Sequence, residues 1–301
     1  MPDDARFAAA YGRGVDFLTT MIGADGTLRS DKDAPRYTLY STAIGIVVLN
    51  LQRNDRHRAT RDALVASLRA QQRPDGGWGY GEDEPGNLSG TLYAVGALVL
   101  AGVPVTDPAL VAARGFVDRC HNYGGAGDDG GFFFSPSVPD SNKAGPADGP
   151  AGRYRSYGSM TADGLRALLR LGAPPDHPRV RAAAAWLEQH FEPDRNPGDF
   201  VAINEVRRAS SYYYWIWTAA HALRDLGLRQ LHTPEGQFDW PVALAEALLS
   251  RQRRDGSWAN ASTEMREDDP VVATSFAAAA LAICRVAMGG TFRSHAATAP
   301  R

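Results

Sequence analysis

Two kinds of apolar segment alternate along the chain. In the first, apolar residues recur every three or four positions with polar residues between them, as Phe7, Tyr11, Val15, Leu18 and Ile22 do over 6–22. Val180, Ala184, Leu187 and Phe191 repeat the pattern, with Arg179, Arg181 and Glu188 on the other face. That period predicts amphipathic helices resting on a core. In the second kind, such as 92–100 and 277–283, nearly every position is apolar, which predicts helices buried on all sides. Amphipathic helices are expected over 6–22 and 58–72, after Thr106-Asp107-Pro108 and from Pro178, where a Pro suits a helix start. Inner helices are expected over 39–51 and 89–100. The chain therefore reads as about five hairpins, each an outer helix followed by an inner one. A ring of inner helices within a ring of outer ones satisfies both patterns. An open solenoid also alternates helix types, so the period alone leaves both arrangements open.

One phrase occurs twice: Gln72-Arg-Pro-Asp75-Gly76-Gly77-Trp78 and Gln252-Arg-Arg-Asp255-Gly256-Ser257-Trp258. Each closes an amphipathic helix, with a glycine suited to the left-handed conformation of a helix end and an Asp that favours a turn. Asp25-Gly26-Thr27-Leu28 and Asp129-Gly130-Gly131-Phe132 keep the turn without the Trp, and Asn196-Pro197-Gly198 keeps little besides the glycine. The phrase resembles the Gln-Trp repeat of the terpene cyclase and protein prenyltransferase superfamily, of the squalene-hopene cyclase kind. Ser156-Tyr-Gly-Ser-Met-Thr161-Ala-Asp-Gly-Leu165, Tyr212-Tyr-Tyr-Trp215 and Asp269-Pro-Val-Val-Ala-Thr274-Ser-Phe276 resemble the bacterial branch of prenyltransferase or squalene oxidase repeat proteins. The resemblance implies an all-α fold, an α/α barrel or toroid of five to six hairpins. We read one such domain over 1–288 and a disordered tail over 289–301.

Connections from inner to outer helices are short and Pro-rich, whereas those from outer to inner helices are long and polar. In an alternating barrel all the long links emerge at one end, and long links often carry function. The longest, about 122–155, contains Gly130-Gly-Phe-Phe-Phe134, which reads as a strand or a lid, and equally as part of a solvated insertion.

The net charge is −2 with both signs spread along 301 residues, which gives no footprint for nucleic acid. Two cysteines, Cys120 and Cys284, are too few for a disulfide framework. Residues 1–20 lack the apolar run of a signal peptide, and the most apolar stretch, 271–284, falls short of the ~20 residues of a membrane span. A cytoplasmic protein with no membrane span is expected, and its oligomeric state is left open.

Class II cyclases of the resembled superfamily start a cation cascade from a protonated carboxyl group in an Asp-x-Asp-Asp-Thr phrase at the head of an inner helix. Here the corresponding segment is Pro270-Val-Val-Ala-Thr274, which keeps the Thr and no acid. Asp268 and Asp269, just upstream, are the nearest candidates for a catalytic acid; they suit helix capping equally well. Tyr212, Tyr213, Trp215 and Trp217 are candidates for a wall whose π faces stabilise a cation, and also for ordinary core packing. His221 lies one turn beyond Trp217, and Asp163 and Glu205 are lone acids near the expected opening; each also has a plain structural reading. Cys120-His121 supplies half of a zinc set at most, so no metal or cofactor is expected. Three functions remain in view: a terpene cyclase-like enzyme that cyclises or isomerises an isoprenoid or other hydrophobic polyene, a non-catalytic barrel binding a lipid or peptide, and a carbohydrate-active enzyme.

Overall fold

The computed structural model describes residues 5–28, 38–52, 56–81, 83–148, 152–262 and 264–289. The outer helices are α1 (Ala5–Thr20), α3 (Arg58–Ala70), α5 (Pro108–Arg119), α7 (Pro178–Gln189) and α10 (Trp240–Ser250). The inner ones are α2 (Thr38–Asn50), α4 (Leu88–Leu100), α6 (Gly158–Arg170), α9 (Tyr212–Asp225) and α11 (Pro270–Ala287). A short α8 (Glu205–Ala209) lies in the link before α9. Starts follow the local chemistry: Asp107, His177 and Asp269 each cap a helix whose first residue is Pro. Inner helices pack side by side in chain order, α2 to α4 to α6 to α9 to α11, with an outer helix behind each. The result is the α/α toroid that the sequence resemblance implies, built from five hairpins.

The repeated phrase folds the same way twice. Gln72 Nε2 donates to Gly76 O at 2.8 Å and Gln252 Nε2 to Gly256 O at 2.9 Å. Asp75 accepts from Gly77 N at 2.9 Å, and Asp255 from Ser257 N at 3.0 Å. Each Trp is buried, donating its indole N–H back to the outer helix (Trp78 to Leu68 O, 2.7 Å; Trp258 to Leu248 O, 2.8 Å). Each Trp also offers its backbone N–H to a Thr of the next inner helix, Thr91 or Thr274. The Asp129 turn keeps this last bond, from Phe132 N to Thr161.

The glycine of each turn also joins one hairpin to the next. Gly26, Gly76 and Gly130 have positive φ, and a Cβ on them would stand 2.3–3.0 Å from the carbonyl oxygens of Ala63, Ala112 and Ala182 on the following outer helix. Gln72 adds a bond to Ala109 O on α5 at 2.8 Å. Gly256 has a similar φ of 86° but no such neighbour, and 252–256 is exposed. It belongs to the last hairpin.

The long links gather at one end. Leu88 N donates to Phe134 O, and Ser135 Oγ to Gly86 O. Glu264 accepts from Lys143 at 3.0 Å, from Arg207 at 2.6 Å and from Ser210 at 3.0 Å. The middle of the 122–155 link is thus folded into the protein: Phe132, Phe133 and Phe134 are buried, and Asn142 bonds Phe134 N and Ser135 N. Two further features differ from the sequence reading. An antiparallel hairpin, β1 (Gln230–Thr233) and β2 (Gly236–Asp239), lies between α9 and α10. Helix α11 runs 18 residues and matches a membrane-crossing helix in length and hydropathy, though here it packs on α9 and α10 with Ala273, Ala277, Ala280 and Cys284 buried. The tail from 290 onward lies outside the described residues.

Candidate functional site

Helix α6 carries Asp163, Arg166 and Arg170 at positions i, i+3 and i+7, a spacing that aligns them on one face. Asp163 is fully buried. Its Oδ2 accepts from Tyr214 Oη at 2.6 Å and its Oδ1 from Thr218 Oγ1 at 2.5 Å, both from α9. Arg166 donates to Thr218 Oγ1 at 2.8 Å and stands 3.8 Å from Asp163. Burial pushes the Asp163 carboxyl up to about 6, against the opposing pull of Arg166, Thr218 and Tyr214.

From Tyr214 a line of hydroxyls leads away from the acid. Tyr214 Oη lies 2.8 Å from Ser89 Oγ, which lies 3.0 Å from Tyr40 Oη. With Asp163 ionised, each hydroxyl donates toward it; with Asp163 protonated, the same line can run outward. Asp163, Ser89 and Tyr214 are almost inaccessible, but Tyr40 is half-buried. The acid is therefore linked to half-buried Tyr40 through hydroxyls and is not itself exposed.

Beside this line stands an aromatic wall. Trp217 lies 5.4 Å from Phe276, 5.5 Å from Tyr214 and 5.8 Å from Tyr93, and Tyr93 meets Tyr40 edge-on at 4.8 Å. The Arg166 guanidinium carbon sits 4.5 Å above the Trp217 ring. His221 touches Trp217 edge-on at 5.1 Å, and its buried Nδ1 has no hydrogen-bond partner. Burial, and then the nearby arginines 166, 224 and 170, hold His221 down at about 2, so its ring is neutral.

A second buried acid closes the head of α9. Glu267 accepts from Tyr213 N at 3.0 Å, Tyr214 N at 2.8 Å and Asn260 Nδ2 at 2.7 Å. Burial pushes it up to about 8, while the N–H donors at the start of the helix act the other way. It is a cap brought from 53 residues away.

The residues singled out in the sequence separate into four places. Asp163, Trp217 and His221 share the interior. Tyr212, Tyr213 and Glu205 instead line a pocket at the loop end with Arg195, Arg208 and Arg251, the last stacked 4.5 Å over Tyr212. Trp215 is wholly buried, donating to Glu192 O at 3.0 Å. Asp268 and Asp269 are exposed, and Asp269 caps α11 through Val271 N at 2.8 Å. Sequence reasoning passed over Arg166, Arg170, Ser89, Tyr40 and the capping role of Glu267. The spacing of the α6 face was the available signal for the arginines; nothing local marks the others.

The chain is similar to known proteins in part of its sequence and in its fold. Residues 38–128 match the squalene-hopene cyclase N-terminal domain. That match, over less than a third of the chain, supports a likeness to the squalene-hopene cyclase-like superfamily. The chain is 30% identical to mouse (Mus musculus) lanosterol synthase over 113 residues, 38% of this chain and 15% of that one. It is 48% identical to enfumafungin synthase of Hormonema carpetanum over 52 residues, 17% of this chain and 4% of that one. The chain thus matches only a small part of these relatives. Among solved structures, a protein from Actinoplanes superposes with TM-score 0.60 at 20% identity, covering 94% of this chain and 78% of that one. A variant of the type II terpene cyclase MstE from Scytonema, in complex with geranylgeranyl dihydroxybenzoate, superposes with TM-score 0.59 at 17% identity, covering 93% and 76%. Both share the helical toroid fold with this chain.

Proposed function

We propose that the protein is a terpene cyclase-like enzyme that holds an isoprenoid or another hydrophobic polyene against Tyr93, Trp217 and Phe276 and rearranges it by acid-initiated cyclisation or isomerisation. The observation that carries this reading is Asp163, a buried carboxyl group whose proton is retained to about pH 6 beside an aromatic wall. A proton leaving Asp163 passes along Tyr214, Ser89 and Tyr40 to an alkene carbon; the carboxylate left behind balances the cation, and proton loss from the final cation restores the acid. Asp268 and Asp269 lack this burial. Type II terpene cyclase MstE, of similar fold, was crystallised with a geranylgeranyl-bearing substrate, which supports a polyene as the ligand class.

Incubation of the purified protein with farnesyl, geranylgeranyl and squalene-type substrates, with products read by gas chromatography and mass spectrometry, tests the assignment. Turnover by the wild type and a loss of about a hundredfold or more in Asp163→Asn is the expected result. Full activity in Asp163→Asn together with loss in Asp268→Asn or Asp269→Asn would move the acid to the head of α11.

One observation favours a second reading, a barrel that holds a lipid without transforming it. Arg166 already covers one face of Trp217, and a π face engaged by a guanidinium has less to offer a substrate cation. Binding of a polyene with no product under any condition would select this reading. A carbohydrate reading needs two carboxylates facing one opening; among the described residues the two buried acids are engaged separately, Asp163 with Tyr214 and Thr218 and Glu267 with the head of α9.

A further inference from the structure

The interior holds more positive charge than its own acids neutralise. Arg166 is 2% exposed and faces Asp163, yet its Nε is buried with no partner. Arg170, one turn further along α6, makes a single hydrogen bond, to Leu92 O at 3.3 Å. Among the described residues no carboxylate lies within ion-pairing distance of it. Asp225, the acid with the largest electrostatic effect on it, is engaged by Arg224 at 2.5 Å. Asp163 can balance only one of the two guanidinium groups, and only when ionised. The His221 ring is neutral, and its Nδ1 is buried without a partner.

The bland explanation for an arginine near a helix C-terminus is that it satisfies the last carbonyls of its own helix. Arg170 does not do so: its hydrogen bond goes to the neighbouring helix, and Gly96 of α4 makes the room. A Cβ there would stand 2.3 Å from Arg170 Nη1. Accessibility rises in the same direction. Along α4 it runs from Ser89 (4%) through half-buried Tyr93 to Leu100 (42%), and along α9 from Tyr214 (4%) through half-buried Trp217 and His221 to exposed Arg224. On these two faces the side chains are therefore more exposed toward the C-terminal ends of α4 and α9 than toward their N-terminal ends. Arg170 and His221 stand toward the same end.

We propose that Arg166, Arg170 and His221 receive the anionic oxygens, carboxylate or phosphate, of an amphipathic ligand whose apolar chain lies on Tyr93, Trp217 and Phe276. A guanidinium pair presents forked donors suited to such groups. His221 adds a neutral donor when its proton is on Nδ1. The polar head lies toward the accessible end and the chain toward Tyr40. This specifies the ligand class of the site described above, and it rests on the reading that the interior holds a hydrophobic chain.

Calorimetric titration of the protein with farnesoic acid, farnesyl diphosphate and farnesol, which share one tail, is the test. At least one of the two anions is expected to bind tenfold or more tightly than the alcohol, with the advantage shrinking as salt rises. Which anion leads tells carboxylate from phosphate. Arg170→Gln is expected to reduce the advantage below threefold, and Arg170→Lys to keep most of it. Equal binding of all three, failure of all three to bind, or an advantage untouched by Arg170→Gln in a variant with wild-type circular dichroism would overturn the proposal. If Arg170→Gln does not fold, the anion preference of the wild type and its salt dependence decide. Turnover is not read here, so polyene chemistry survives a failed anion preference, and anion binding survives an absence of turnover.

Discussion

A single carboxyl group shows how burial changes what a residue type can do. On a surface Asp163 would ionise near pH 4, but surrounded by α6 and α9 it keeps its proton to about pH 6. Acid-initiated turnover is accordingly expected to be greatest below pH 6 and to fall about tenfold per unit well above it, which a pH–rate profile of kcat checks. The same raised values bear on stability. Asp163 and Glu267 both bind protons more tightly folded than unfolded, so their contribution is full below the unfolded values near 4 and is lost as pH rises through about 6 and about 8. Thermal melting should show Asp163→Asn flattening the decline of stability between pH 4 and 6. Glu267 has a further duty, because the Tyr213 and Tyr214 amides it accepts from are buried. Glu267→Ala should cost ~2–4 kcal/mol in urea unfolding through unpaired N–H groups, and Glu267→Gln less, since one of its two acceptor atoms remains.

At the scale of the element, the repeated turn does two jobs that a pair of substitutions separates. Gly76 and Gly256 share a left-handed backbone, so Ala strains both by ~1–2 kcal/mol. Only Gly76 also presses against the next outer helix, its added Cβ falling 2.4 Å from Ala112 O. Gly76→Ala should therefore be less stable than Gly256→Ala by ~1–3 kcal/mol in chemical denaturation; equal losses would mean that the turn, not the joint, holds the hairpins together. Helix α9 illustrates the opposite dependence. Consecutive aromatics at Tyr212, Tyr213, Tyr214 and Trp215 point in different directions around a helix, and only packing assigns Tyr214 to the interior acid, Tyr212 to a pocket under Arg251 and Trp215 to the core. The small β1–β2 hairpin has a local signal in Thr233-Pro-Glu-Gly236, a turn flanked by Leu231 and Phe238, but strands of four residues are too short for period alone to reveal.

Across the whole molecule, Glu264 ties three long links into one cluster by accepting from Lys143 of one, and from Arg207 and Ser210 of another. Burial raises its carboxyl, but the bonds and charges of Arg207 and Lys143 outweigh that and hold it at about 2. Its contribution is thus present above the unfolded value near 4.5 and is lost as pH falls through about 2. Glu264→Ala should release the 122–155 link, seen as faster proteolytic cleavage there at neutral pH with the helical circular dichroism kept.

The number and kind of helices were legible because burial on one face or all faces is written into the apolar period. The joints were legible because Gln, Asp, Gly and Trp each have a fixed local task in the turn, and their order resembles a known repeat. The acid was not. A carboxyl group becomes an acid useful near neutral pH only when other helices strip its water and supply its partners, and Asp163 draws those from residues 51 and 55 positions away. For the same reason Asp268 and Asp269, prominent in the sequence beside the last inner helix, are surface groups in the fold, while Glu267 next to them is buried. Sequence determined the repeat and its helices through local preference and period. Tertiary structure decided which side chains meet in the interior, because convergence of α4, α6, α9 and α11 is a property of the ring and of no single segment.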